Sequence, residues 1–183
     1  MTYYEIIYEH AADNFGLITS SEARGLDIPN VELVKLSHRG RLKRLGHGVY
    51  RIAHYIPSQY DKYAEAVAIV GENAFIFRES VLAMHGLALV NPTTISVATI
   101  NRIRKTLPTY IKLFYVREDH CAVTSYEGIQ SQSVLSALLA CRGIIMTDRL
   151  ESAVDEARRN GLITQAEAER AREELHNERQ SAK

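Results

Sequence analysis

Residues 38–52, HRGRLKRLGHGVYRI, set the strongest limit on what this chain folds into. Glycines at positions 40, 46 and 48 break the stretch twice, so no helix runs through it. Leu42–Leu45 and Val49–Ile52 read as short strands, and Gly46-His47-Gly48 between them fits a tight hairpin. The elements before the hairpin are helical. In YYEIIYEHAADN, Tyr3, Ile6, Ile7 and Ala11 recur near helical spacing. Thr19 with Glu22 three residues later is a capping box, which predicts a short helix from about Ser20 to Arg24, stopped at Gly25. After the turn LDIP, Pro29 and Asn30 open another helix, with Val31, Leu33, Val34 and Leu36 as its apolar residues and Gly40 at its end. Three helices followed by a two-stranded hairpin is the order of a winged helix-turn-helix. The third helix then takes the recognition position and the hairpin is the wing.

Charge supports this reading. The chain has 183 residues, with 22 Lys and Arg against 22 Asp and Glu, a formal net charge of zero. Neutrality conceals an asymmetry. Up to Glu32 the acids Glu5, Glu9, Asp13, Glu22, Asp27 and Glu32 face one base, Arg24. From Leu33 to Tyr60 no acid occurs, while Lys35, Arg39, Arg41, Lys43, Arg44 and Arg51 do, with three histidines. A local positive field of this kind attracts phosphate whatever the total charge. On the third helix Glu32, Lys35 and Arg39 share a face at i, i+3 and i+7. Lys35 and Arg39 are expected to face a DNA major groove, and Glu32 either to accept from a cytosine or to be solvated. Arg41, Lys43 and Arg44 are expected along the wing toward phosphates, joined by His47 and Arg51. Arg102, Arg104 and Lys105 form a second basic cluster in a loop, a solvated segment or a secondary contact.

Beyond Pro57 the pattern changes, so two domains are expected, residues 1–56 and 57–183. The second reads as mixed α/β with a helical C-terminus, an α+β chain overall. SQYDKYAEAVAIVG and RESVLAMHGL are helical; AFIF, TTISVAT, YIKLFYV and CAVTSYEG read as strands. SQSVLSALLACR, TDRLESAVDEARRNG and TQAEAERAREELHNER are helices. GLIT occurs at 16–19 and again at 161–164, each time with Glu three residues after Thr.

Catalytic chemistry is hard to assemble. No zinc spacing, P-loop, dinucleotide fingerprint or nucleophile elbow is present. Asp119-His120-Cys121 are adjacent, and on a strand neighbouring side chains diverge. Ser80 is expected as a helix cap rather than a nucleophile, and His85 as capping or packing near a helix end. No catalytic residue, metal or cofactor is expected. Nothing approaches the ~18 apolar residues of a membrane helix. The N-terminus lacks a signal-peptide pattern, and Cys121 and Cys141 form no disulfide framework, so a reducing cytoplasm is expected.

Several of these segments carry a family resemblance. Gly16-Leu17-Ile18-Thr19 leading to LSHRGRLKRLGHGVYRI resembles the G-x-(I/L)-T and x-R-(I/L)-x-x-G-V-Y pattern of the AbiEi antitoxins of type IV toxin–antitoxin systems. FRESVLAMHGL is similar to that family's strand followed by Ser and Gly-Leu, and TISVAT and YEGIQSQSVLSALL stand where it has related segments. The resemblance implies a winged helix that represses its own operon at inverted repeats. It also implies a C-terminal domain that counteracts a co-encoded nucleotidyltransferase-like toxin, with no need for a stable complex. The alternatives are a stand-alone winged-helix regulator whose α/β domain senses a ligand, and a nuclease guided by the wing.

Overall fold

The first helix, α1 (Tyr3–Ala12), starts from a capping box: the Thr2 hydroxyl accepts from the Glu5 amide at 3.3 Å, and the Glu5 carboxylate from the Thr2 amide at 2.7 Å. A computed structural model describes residues 1–117 and 122–181. The chain divides into two compact units, Met1–Glu72 with Arg102–Thr109, and Asn73–Asn101 with Tyr110–Lys183.

In the first unit a strand unforeseen in the sequence, β1 (Leu17–Thr19), separates α1 from α2 (Ser20–Gly25). Thr19 caps α2 as expected: it accepts from the Glu22 amide at 3.1 Å, and its own amide donates to the Glu22 carboxylate at 2.7 Å. The end of α2 differs from expectation. Gly25 stays helical, and Asp27 takes the left-handed conformation at φ 57°. That turn lets the Ile28 amide reach the Ala23 carbonyl at 2.8 Å and buries Ile28. Next, α3 (Asn30–His38) ends in the same way, with Gly40 at φ 69° and the Arg41 amide on the Leu36 carbonyl at 2.9 Å.

The chain returns as β2 (Leu42–Gly46) and β3 (Val49–Ile52). Both β1 and β2 pair antiparallel with β3, giving the order β1-β3-β2. Gly46 stands opposite Val49, so the turn is the two residues His47-Gly48, and the register shifts between Arg44 and Gly46. Sequence suggested a three-residue turn; the extra residue is absorbed in that irregularity. One sheet face supplies Ile18, Leu42, Tyr50 and Ile52 to a core with Ile7, Ala11, Ala23, Ile28, Leu33 and Leu36. The unit runs past Pro57 to include α4 (Asp61–Val70), which packs on β2, with Gly46 against Ile69.

The second unit is built on a mixed sheet with the order β6-β5-β4-β8-β7. Its strands are β4 (Phe75–Ile76), β5 (Ile95–Thr99), β6 (Ile111–Tyr115), β7 (Val123–Tyr126) and β8 (Ile129–Gln132). β8 was not anticipated; Glu127 and Gly128, both at positive φ, close its hairpin with β7. β5 is buried along its whole length. The helices are α5 (Glu79–Met84), α6 (Val134–Ala140), α7 (Thr147–Arg159) and α8 (Gln165–Ser181). Thr164 and Glu167 form a capping box at the start of α8. The fold is α+β with a helical C-terminus. No helix among the described residues is long and apolar enough to cross a membrane.

Candidate nucleic-acid interface

Helix α3 has nine residues and gives the core only Leu33 and Leu36 as fully apolar anchors. That narrow stripe decides what the rest of the helix presents. Val31 and Val34, apolar residues of the helix in the sequence reading, are 55% and 43% exposed. With Lys35 and His38 they form the outward face, at i, i+3, i+4 and i+7. The signal was present in the sequence: a stripe centred on Leu33 and Leu36 puts Val31 on the opposite side of a 3.6-residue helix.

The expected basic residues take different positions around this face. Lys35 is exposed, and its ammonium lies 2.7 Å from Glu32 Oε1 on its own helix. Glu32 is thus engaged with Lys35. Arg39 is not on the helix proper but is its C-cap. Arg39 and Arg41 border a groove against the start of α1, lined also by Tyr3, Tyr4, Glu5 and Glu32. Arg41 sits over the Tyr4 ring at 5.0 Å, a cation–π contact that holds the guanidinium in place.

The cations of the hairpin diverge. Strand residues alternate between faces. Arg44 lies opposite Tyr50, on the face that packs α1, α2 and α3, and its Nε donates to the Gly46 carbonyl at 3.3 Å. Lys43 lies opposite Arg51, on the other face, in a groove with Tyr55, Asp61 and Glu65. Arg51 is half-buried: it donates to Glu65 Oε2 at 2.9 Å and to the Asp61 carbonyl at 3.5 Å, and lies 5.8 Å from the Tyr55 ring. Burial, and secondarily the nearby Asp61 carboxylate, push the Tyr55 hydroxyl above its usual pKa. His47 is exposed in the turn. The turn lies beside α2, where the Ser20 amide donates to the Gly48 carbonyl at 2.8 Å.

The second basic cluster belongs to the same compact unit. Arg102 and Arg104 are exposed, whereas Lys105 is partly withdrawn, and its burial lowers its pKa. Its amino group lies close to Gly71, 3.6 Å from where a Cβ would stand.

Residues 5–53 match the family described as transcriptional regulator, AbiEi antitoxin. The AbiEi match opens within α1 and closes after β3. It therefore spans the helices and hairpin just described, including GLIT and HRGRLKRLGHGVYRI, and stops before α4. FRESVLAMHGL and TISVAT lie outside the AbiEi match. A search of curated proteins gives no match.

Other candidates from the sequence resolve differently. Ser80 does not cap its helix; Arg78 occupies that position, and Ser80 is fully buried with its hydroxyl accepting from the Ser96 amide at 2.8 Å. His85 is the C-cap of α5 and packs its ring 4.2 Å from that of Tyr126. Asp119, His120 and Cys121 lie outside the described residues. Among the described residues no group of three His, Cys, Asp or Glu is placed to hold a metal ion.

Proposed function

We propose that the first unit is a winged helix-turn-helix that binds operator DNA, and that the chain is a non-enzymatic antitoxin that represses its own toxin–antitoxin operon. The observation that carries this is the exposed face of α3, which nothing in its own unit covers. It stands beside a hairpin within a stretch that has no acid from Leu33 to Tyr60. The AbiEi match over residues 5–53 supports the regulator role. In this reading α3 enters the major groove, and Lys35, Arg39, Arg41 and Arg44 meet phosphates or base edges around it. Lys43, His47, Arg51, Arg102, Arg104 and Lys105 are secondary: Arg51 and Lys105 are partly buried, and Lys43 faces away from α3. The second unit is assigned the task of countering a nucleotidyltransferase-like toxin, an assignment that rests on the sequence resemblance.

Footprinting of the protein on its own promoter tests the DNA role. Two copies should protect half-sites of an inverted repeat about one helical turn, ~10 bp, or a multiple apart. Protection of one asymmetric site would remove the two-copy arrangement. The absence of protection would remove the repressor. Co-expression with the product of the neighbouring toxin gene tests the antitoxin role, with survival as the expected result.

One observation favours a second reading, a regulator whose α/β unit senses a small ligand. A cavity of about 300 Å³ lies in that unit, among Ala74, Phe75, Ile100, Val116 and Val123. That volume is at the lower end for small-molecule sites. A metabolite that shifts operator affinity without any toxin gene present would support it.

A further inference from the structure

Folding leaves the two outward valines of α3 unexplained. Val31 and Val34 belong to no core cluster, and both are β-branched, which costs some helix propensity at positions where a polar residue would serve as well. Their surroundings are charged or ionisable: Lys35, ion-paired with Glu32, and His38 share the face, and Arg39 caps the end of the helix. An apolar pair bordered by charged side chains is poorly suited to a protein core and well suited to a surface that is charged at its edge and apolar at one point. The DNA major groove has that character, because phosphates line its walls and the thymine C5-methyl is its distinctive apolar group.

We infer that Val31 and Val34 read thymine methyl groups in the operator half-site, while the surrounding cations supply affinity without sequence information. The inference rests on the DNA-binding reading above and adds the determinant of sequence. Geometry limits the target. Residues at i and i+3 of a helix place their Cβ atoms ~5–6 Å apart. Successive base pairs are stacked ~3.4 Å apart. The two methyls therefore lie on base pairs one or two steps apart, on the same or opposite strands.

The experiment uses the full chain and a random-sequence duplex library. Selected sites should carry two thymines one or two steps apart in each half-site. Each thymine is then replaced by deoxyuridine, which removes the methyl and nothing else. The wild-type chain should lose about fourfold in affinity per methyl removed, as expected for one buried methyl-sized group. Val31→Ala with Val34→Ala should bind the thymine and deoxyuridine duplexes equally, with the salt dependence of the wild type retained. Circular dichroism confirms that this variant is folded, and Val31→Ile with Val34→Ile, which keeps the apolar contact, should preserve the discrimination. Equal binding of both duplexes by the wild type overturns the inference, as does full discrimination by the alanine variant. So does an alanine variant that changes only self-association. Failure of the wild type to bind any duplex is a separate result, and it sinks the DNA-binding reading itself.

Discussion

Arg51 on the central strand of the first sheet donates to Glu65 of α4 at 2.9 Å, with both side chains mostly withdrawn from solvent. A base that sequence placed among the DNA contacts is thereby a tie between hairpin and helix. Arg51→Ala should lower unfolding stability by about 1–3 kcal/mol, between the values for exposed and fully buried pairs. Arg51→Lys should recover only part, because a point charge cannot serve Glu65, the Asp61 carbonyl and the Tyr55 ring together. Urea denaturation measures both. A wild-type midpoint for the alanine variant would show that the tie contributes nothing.

Lys43 and Arg44 are sequence neighbours on opposite faces of β2, so their effects on DNA binding should differ. Arg44→Ala should reduce the slope of log K against log salt by about 0.9, the loss of one phosphate contact. Lys43→Ala should leave that slope close to the wild-type value. Titrations at several salt concentrations give the slopes directly, and equal losses would put the DNA on both sides of the hairpin.

Gly16 is left-handed at φ 68°, and a Cβ there would stand 2.6 Å from the Tyr55 ring. Gly16→Ala therefore meets two penalties, backbone strain of about 1–2 kcal/mol and overpacking of about 1–3 kcal/mol. A combined loss of about 2–5 kcal/mol should appear as a lower thermal midpoint. Gly25→Ala, at a helical glycine with open space around its Cβ, should be neutral or stabilising in the same assay.

Burial against Tyr126 lowers the pKa of His85 below its ordinary 6.5. The unfolded chain therefore takes up the proton first as pH falls. The stability contributed by neutral His85 is complete above the unfolded value and is lost as pH drops through 6.5 toward the folded value. Comparison with His85→Gln isolates this residue. The stability gap between the two proteins should shift against the wild type from pH 7.5 to 5.5, and a constant gap would disprove it.

The Cys141 thiol is buried, and its pKa is pushed up to about 12, chiefly by burial and further by the nearby Glu79 carboxylate. At neutral pH it is protonated and unreactive. In a Cys121→Ser background the native protein should consume no thiol reagent, and one equivalent should react on unfolding in urea. Rapid labelling of the native form would contradict the burial.

Local chemistry was legible in the sequence. The Thr19 and Glu22 box, the Gly40 turn and the two glycines around His47 are each set by residues within a few positions. What escaped depends on distant partners. β1 is three residues long and exists through β3, some thirty residues later. Val31 and Val34 look like core residues until the packing shows that Leu33 and Leu36 suffice. Arg51 looks like its basic neighbours until Glu65 is brought beside it. At Ser80, a residue type common at helix starts proved instead to tie α5 to β5. Of the candidate interface, the segment was readable from charge and glycine placement. The division of its residues between outward face, flank and internal tie was not.

The first unit is not contiguous in the gene. Residues 102–109 belong to it although the chain on either side, Asn73–Asn101 and Tyr110 onward, belongs to the second. A breakpoint at residue 72 would transplant the matched AbiEi segment without that returning piece and its Arg102 and Arg104. The two units therefore cannot be exchanged as simple cassettes. A chimera that borrows the N-terminal unit must either carry the 102–109 loop along or go without it.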